Sequence, residues 1–353
     1  MTPPPVPRPA GLRWHWLLAG TVAVLVAGLA GLALGPASLP PLGVARALLD
    51  LLPGVHLRTG LGEREAAIVL DLRLPRVCLG LLVGATLALA GGTYQGIFRN
   101  PLADPYLLGV AAGAGLGATV AIVATRTTHA TAGVAATLTV PATAFAGALG
   151  AVGLTYALGA AGGRYRSPAT LILAGVAVSS FLAAAQAFLQ QRYVDTIREV
   201  YGWIMGRLGT AGWHDVLVLL PYTVLTGAAV LVHRRELDVL SVGDTEARSL
   251  GAHPGRTRAV LIVAASLGTA AAVSVSGLIG FVGIIVPHTV RLLAGSSYRV
   301  ILPLSVLFGA AFLTLADLAA RTLLVPSEIP IGVVTAFFGA PFFVVVLRTI
   351  GRQ

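Results

Sequence analysis

Asp317 and Arg321 stand four residues apart inside an apolar run, the spacing that brings two side chains onto one helix face. A carboxylate in lipid is costly alone and a paired guanidinium offsets it, so a structural ion pair is the first reading. His288 follows Pro287 in an equally apolar stretch. No other His or Cys lies at ligand spacing, so it reads as a hydrogen-bonded structural histidine, and no metal site is expected. The other histidines, such as His56, His129 and His214, are dispersed, and no His-x3-His or paired carboxylates supply a catalytic cluster. The chain contains no lysine, and all 24 basic residues are arginine. A phosphate-binding P-loop and Schiff-base chemistry both require lysine. No catalytic residues and no cofactor are therefore expected on this chain, and any ATP hydrolysis belongs to another. The lone Cys78 cannot form an intrachain disulfide and reads as a small core residue.

Those residues are embedded in a chain that cannot cover its surface with charge. Of 353 residues 56% are hydrophobic and 11% charged, with a mean hydropathy of +0.86; ordinary soluble domains carry about 25% charged residues. The net charge of +10 comes from arginines scattered singly, unlike a nucleic-acid footprint clustered on one face. Apolar stretches near 15–34, 77–98, 106–125, 133–160, 169–190, 214–233, 300–320 and 331–347 are each long enough to cross a bilayer, which takes about 20 residues. A further stretch, 259–290, has no charged residue but is broken by Gly277, Gly280 and Gly283, so it reads as two helices and a tight turn. The expectation is one all-α polytopic membrane domain over residues 1–353 with about ten transmembrane helices.

The first apolar run is longer than a typical signal-peptide core and reads as the first span, after a disordered cytoplasmic tail at 1–13. The positive-inside rule then places both termini in the cytoplasm. Arg73, Arg76 and Arg321 fall outside against that rule. Small residues at Gly92-x3-Gly96, Gly109-x3-Gly113-x3-Gly117 and Gly159-x3-Gly163 predict tight helix packing. Tyr94, Gln95, Gln186 and Gln190 either face a pathway or bridge helices.

Three polar segments interrupt the pattern. Pro101 and Pro105 cannot share one regular helix, so the chain turns after Arg99, with Asn100 held out of helix by its proline and Asp104 and Pro105 opening the next helix. Residues 233–258 form the longest polar stretch of the C-terminal half, a cytoplasmic loop in which 241–250 predicts a short helix. Ser241 and Asp244 have capping-box spacing and Gly251 suits the stop. Residues 277–288 form the glycine-broken turn.

Together these stretches resemble the FecCD family of ABC importer permeases, which carry ferric siderophores, haem or cobalamin. The matching runs are RLPR (73–76), the run ending NPLADP (100–105), LGV (108–110), LAGVA (173–177), EARSLG (246–251), GLIGFVGIIVPH (277–288), ADLAAR (316–321) and EIPIGVVTAFFGAPFF (328–343). They stand in family order from about residue 70 onward. The resemblance implies a permease of the bacterial inner membrane, working by alternating access. Its expected partners are a second permease copy or paralogue, two ATPase subunits that hold the ATP, and an extracytoplasmic substrate-binding protein, with membrane lipid around it and no nucleic acid.

By the same resemblance, Arg73, Arg76 and Arg321 receive acidic residues of the binding protein. Ser241, Asp244, Glu246, Ala247, Arg248 and Gly251 form the coupling helix on the ATPase. Asn100 and Leu102, with Ser167 and Thr170, form the cytoplasmic gate, although Pro168 departs from the family pattern there. Ferric siderophore is the first expected cargo, then haem or cobalamin. The alternative is a transporter driven by an ion gradient, which usually places ionisable residues at mid-membrane for its coupling ion.

Overall fold

The computed structural model describes residues 11–37, 39–54, 56–127, 134–161 and 168–350. Most of the expected tail, and Ser167 of the expected gate, lie outside the described residues.

The described chain folds into helices α1 (Trp14–Ala33), α2 (Pro41–Asp50), α3 (Glu63–Ala67), α4 (Leu74–Phe98), α5 (Val110–Thr127), α6 (Val134–Ala161), α7 (Pro168–Arg192), α8 (Ile197–Ile204), α9 (Trp213–Val232), α10 (Arg234–Ser241), α11 (Asp244–Ser249), α12 (Pro254–Ser276), α13 (Val282–Ala294), α14 (Tyr298–Thr322) and α15 (Ile331–Ile350). A π-helical turn over Ile68–Arg73 leads into α4. Among the described residues seven helices are long and apolar enough to cross a membrane, α1, α5, α6, α7, α9, α12 and α14. The 25-residue α4 and the shorter apolar helices α13 and α15 join them, so the expected ten is approximate.

Helix α4 is the axis. It is buried almost throughout from Val77 to Phe98, and α9, α12, α13 and α14 pack around it. By contrast, α1, α9 and α15 present large exposed apolar side chains, including Leu25, Leu225 and Phe337, the pattern of helices whose solvent is lipid. Several polar groups inside the bundle are matched between neighbouring helices. Tyr94 and Ser266 share a 2.6 Å hydrogen bond between α4 and α12, and Thr86 and Thr223 one of 2.9 Å between α4 and α9. Tyr94 and Gln95 thus bridge helices, Gln95 Nε2 donating to the Gly283 carbonyl.

The glycine-rich crossings lack room for a side chain. A Cβ on Gly113 would lie 2.2 Å from the Gly147 oxygen, and one on Gly117 would lie 2.1 Å from the Thr143 oxygen. The α5–α6 seam therefore exists because these positions have no Cβ.

Two spans are interrupted, and the interruptions meet. Helix α12 stops at Ser276 with Gly277 at φ +69°, and α13 starts after Phe281 in the left-handed region. At 13 residues, α13 covers about 20 Å of a hydrocarbon core about 30 Å thick. The chain leaving α4 turns at Arg99 (φ +49°) and runs back to set Pro105 against Gly283. Helix α5 then starts at Val110, not at Pro105: Asp104 accepts from the Tyr106 amide at 2.7 Å, closing a turn, and Gly109 at φ +87° delays the helix. Tyr106 joins the two breaks. Its hydroxyl donates to the Ile279 carbonyl at 2.9 Å and accepts from the Ile279 amide at 3.1 Å. Irregular backbone is tolerated at membrane depth only where protein satisfies it.

Candidate functional site

Functional residues expected from sequence gather at the two ends of the bundle. The end carrying α10 and α11 is called the loop face here.

At the loop face, residues 233–258 form two helices instead of one. Ser241 ends α10, its hydroxyl donating to the Asp238 carbonyl at 2.6 Å. Gly243, at φ +128°, breaks the chain, and Asp244 begins α11. The expected Ser241–Asp244 capping box does not form, because Gly243 occupies the cap position. Gly251 stops α11 as expected: at φ +81° it lets the Ala252 amide reach the Ala247 carbonyl at 2.9 Å, a Schellman-like closure.

Instead of capping, Asp244 ties helices together. Arg258, near the start of α12, donates to both carboxylate oxygens at 2.6 and 2.5 Å, and Arg99, just past the end of α4, donates to the same carboxylate. Arg99 Nε also donates to the Leu240 carbonyl at 2.9 Å. Ala247 is buried, whereas Glu246 and Arg248 are exposed. The turn after α4 is thus fastened to the loop helices. Within that turn Asn100 Oδ1 accepts from the Leu102 amide at 2.9 Å. Thr170 lies half-buried in the first turn of α7.

The hydrogen bonds and charges of Arg258 and Arg99 hold the Asp244 carboxyl below its ordinary value of 3.8. The stabilisation is therefore present at neutral pH and is lost as acid drives pH down through the depressed folded value. The protection of α11 amides, taken relative to their intrinsic exchange rate at each pH, is expected to fall below about pH 4, and Asp244→Asn should lower that protection at neutral pH and remove its dependence on acid.

At the opposite face, three arginines and two carboxylates cluster. Arg76 spends its whole guanidinium on two partners. Nε and Nη2 donate to Asp317 at 2.8 to 3.1 Å, and Nη1 and Nη2 donate to Glu328 at 2.9 Å. The expected Asp317–Arg321 pair exists at 3.6 Å, too long for a hydrogen bond. Sequence reasoning missed the closer partner because Arg76 is 241 positions away.

The surplus positive charge is met by backbone. Arg73 Nη1 donates to the Leu32 and Ala33 carbonyls at 2.7 and 3.1 Å, Arg73 Nη2 donates to Ala37, and Arg321 donates to Gly31. These carbonyls lie at or just beyond the C-terminal end of α1, where unpaired oxygens carry partial negative charge. Arg73 and Arg321 are only 6% and 4% exposed. Glu328 is the open member, its side chain 47% exposed, beside a hollow of about 210 Å³ that Arg76, Arg207 and Asp317 also line.

Among the described residues no group of three or more His, Cys, Asp or Glu is arranged to hold a metal ion. His288 is buried with its ring edge-on to Phe342, centroids 5.9 Å apart, and Nδ1 has no hydrogen-bond partner. The expected structural hydrogen bond is not made there.

A lipid-facing bundle with two interrupted spans stitched at their breaks, and ionic clusters at its ends, is the architecture of a multi-pass membrane transport subunit. The comparisons narrow that class. A cobalamin import system permease protein of Halobacterium salinarum is 43% identical over 292 residues, 83% of this chain and 76% of the relative. A hemin transport system permease protein of Yersinia pestis is 37% identical over 277 residues, 78% of this chain and 81% of the relative. A solved ABC transporter, assigned to the metal-chelate type and in an inward-facing conformation, superposes with a TM-score of 0.81 at 29% identity, covering 96% of this chain and 100% of that one. The FecCD transport family profile matches residues 23–349. The chain belongs to the FecCD transport family and is a permease subunit of the ABC importer type.

Proposed function

We propose that this permease carries a bulky metal chelate inward across the inner membrane, with both termini cytoplasmic, and pairs with a second copy or a paralogue around the pathway. Two ATPase subunits dock on the loop face and hold the ATP; this chain has no cofactor of its own. The relatives named for cobalamin, hemin and Fe(3+)-citrate import support the substrate class, with ferric siderophore first and haem or cobalamin next.

The observation that carries the mechanism is the Asp244 bridge. One carboxylate on α11 grips the end of α4 through Arg99 and the start of α12 through Arg258. A push on the exposed Glu246–Arg248 surface therefore reaches the turn at Asn100 and Leu102, which, with Ser167 and Thr170, forms the gate. A partner shifts such an equilibrium only by its differential affinity for the two states, so the ATPases and the binding protein favour opposite conformations.

On the other face the binding protein docks by its carboxylates. Arg76 is the contact, reached where an incoming carboxylate replaces the half-exposed Glu328. Arg73 and Arg321, buried here, supply the positive field that orients the encounter.

The test is uptake in proteoliposomes containing the permease, its ATPase and its binding protein, offered a ferric siderophore, haemin and cobalamin in turn. Expected is ATP-dependent uptake of a chelate. Glu246→Lys combined with Arg248→Glu should cut uptake at least about tenfold while hydrolysis continues. Uptake driven by a proton gradient without the ATPase would make the protein a secondary transporter instead.

A further inference from the structure

On the loop face, α10, the connection at 250–253, the start of α12 and the start of α14 enclose an open groove of about 680 Å³; it adjoins the coupling surface at Gly251, and the transport mechanism gives its arginine rim no part. Arg235, Arg256 and Arg299 stand on its rim with His233, and Val239 and Val260 form its wall. Arg235 and Arg256 are exposed and have no ion-pair partner among the described residues. Arg299 is only loosely engaged, 3.4 Å from Asp238. The one carboxylate in the groove, Glu236, accepts from the Thr257 hydroxyl at 2.5 Å. Three guanidinium groups thus face one carboxylate in the groove, with Asp238 beside Arg299, which leaves a net positive pocket with an apolar wall.

Its depth relative to lipid follows from its neighbours. Val263, one turn beyond Val260 on α12, is 64% exposed, and Val232, directly before His233 at the end of α9, is 75% exposed. Large apolar side chains left open on spanning helices face acyl chains, and here they stop where the arginines begin. A ligand filling the groove must present negative charge to two or three guanidinium forks and apolar matter to the valines. Guanidinium forks recognise phosphate oxygens in a bidentate manner, and basic pockets between spanning helices suit anionic headgroups.

We propose that this groove binds the headgroup phosphate of an anionic phospholipid, with its glycerol and upper acyl chain against Val239 and Val260. Each arginine near an anionic headgroup is worth about fivefold in affinity. The double variant Arg235→Gln with Arg256→Gln should then weaken binding roughly 25-fold, whereas the Arg235→Lys with Arg256→Lys pair keeps the charge and loses only the fork, so it should keep the charge-dependent part.

The experiment is native mass spectrometry of the purified full chain titrated with phosphatidylglycerol, with phosphatidylcholine and with phosphatidylglycerol plus inorganic phosphate. Expected is selective retention of phosphatidylglycerol, lost in the glutamine pair, kept in the lysine pair and undisturbed by inorganic phosphate at equal concentration. Unchanged thermal stability of the glutamine pair in neutral lipid would tie the loss to the site and not to unfolding. Equal retention of the two lipids, equal retention by the glutamine pair, or displacement by inorganic phosphate would overturn the proposal. So would a glutamine pair that retains phosphatidylglycerol normally but no longer assembles with the ATPase, since the groove would then belong to that partner.

Discussion

Replacing Arg76 by glutamine is expected to destabilise the permease by about 3 kcal/mol, among the largest effects of any single side chain in the bundle. The reason lies in what the guanidinium leaves behind. Asp317 is almost fully enclosed, its side chain 4% exposed, and without Arg76 its remaining cation is Arg321 at a distance too long for a hydrogen bond. Breaking a buried pair from one side strands a charge in low dielectric, and that penalty exceeds the net worth of the pair. Three variants separate the explanations. Arg76→Lys restores charge but not the fork that reaches Asp317 and Glu328 at once, so it should recover less than half of the loss. Arg76→Gln combined with Asp317→Asn removes both charges and should recover most of it, a coupling that a double-mutant cycle reads directly. Glu328→Gln alone should cost about 1 kcal/mol or less, because its carboxylate is half in water and screened. Thermal denaturation in one detergent or lipid mixture measures all four, together with the Asp317→Asn single variant that closes the cycle. If the double charge-removal variant were no more stable than Arg76→Gln, the stranded-carboxylate account would be wrong and Arg76 would be stabilising through packing of its stem.

The legible and illegible parts of this molecule divide along the range of the interactions. The lipid-embedded helices were plain because each run declares itself locally, and the Gly113–Gly117 seam followed from spacing alone. Matching runs from about residue 70 onward carry the family resemblance by themselves, and the FecCD profile match over residues 23–349 agrees. What sequence left hidden was mostly long-range or a matter of single dihedrals. Asp317 could be paired only with its neighbour on the same helix, since nothing in a linear reading joins it to Arg76. Ser241 and Asp244 have the spacing of a capping box, but Gly243 between them adopts a positive φ that a non-glycine residue rarely takes, which leaves Ser241 at the end of α10 and moves the start of the expected 241–250 helix to Asp244. Asp104-Pro105 looks like a helix start, and only the left-handed Gly109 postpones it. Tyr106 carried no motif of its own; its part is visible only once the break after α12 is brought to it. The arginine count places Arg73, Arg76 and Arg321 on the outer side and the family resemblance gives them a docking role, but neither shows that Arg73 and Arg321 are buried on the carbonyls at the end of α1.

The crossing of α4 with α13 should be nearly as intolerant as the Arg76 cluster, and a graded series of alanines will show it. At Gly91 an added Cβ would lie 1.9 Å from the Gly283 carbonyl oxygen and 2.4 Å from its Cα. Those are backbone atoms that no rotamer change can move, and Gly283 is itself pressed on the far side by Pro105, 2.5 Å from where its own Cβ would be. Gly91→Ala must therefore push the start of α13 off α4 or drive Pro105 outward, either of which disturbs the Tyr106–Ile279 stitch between the two broken spans. Overpacking of this kind costs about 1–3 kcal/mol and more where backbone must shift, so Gly91→Ala is expected at the top of that range or beyond, with transport lost even where the protein still inserts. Gly92→Ala, one residue on, meets only the tip of Leu302 at 3.1 Å and Pro287 at 3.4 Å and should cost under about 1 kcal/mol. Gly150→Ala and Gly153→Ala meet nothing within 4 Å; on α6 they should be neutral or slightly stabilising, since alanine is the better helix former by up to about 1 kcal/mol. The ordering of the three classes in denaturation and in chelate uptake is the readout. A Gly91→Ala protein as stable and active as Gly150→Ala would mean that the broken spans do not lean on one another at this point, and that the turn at 100–105 is free to move without α13.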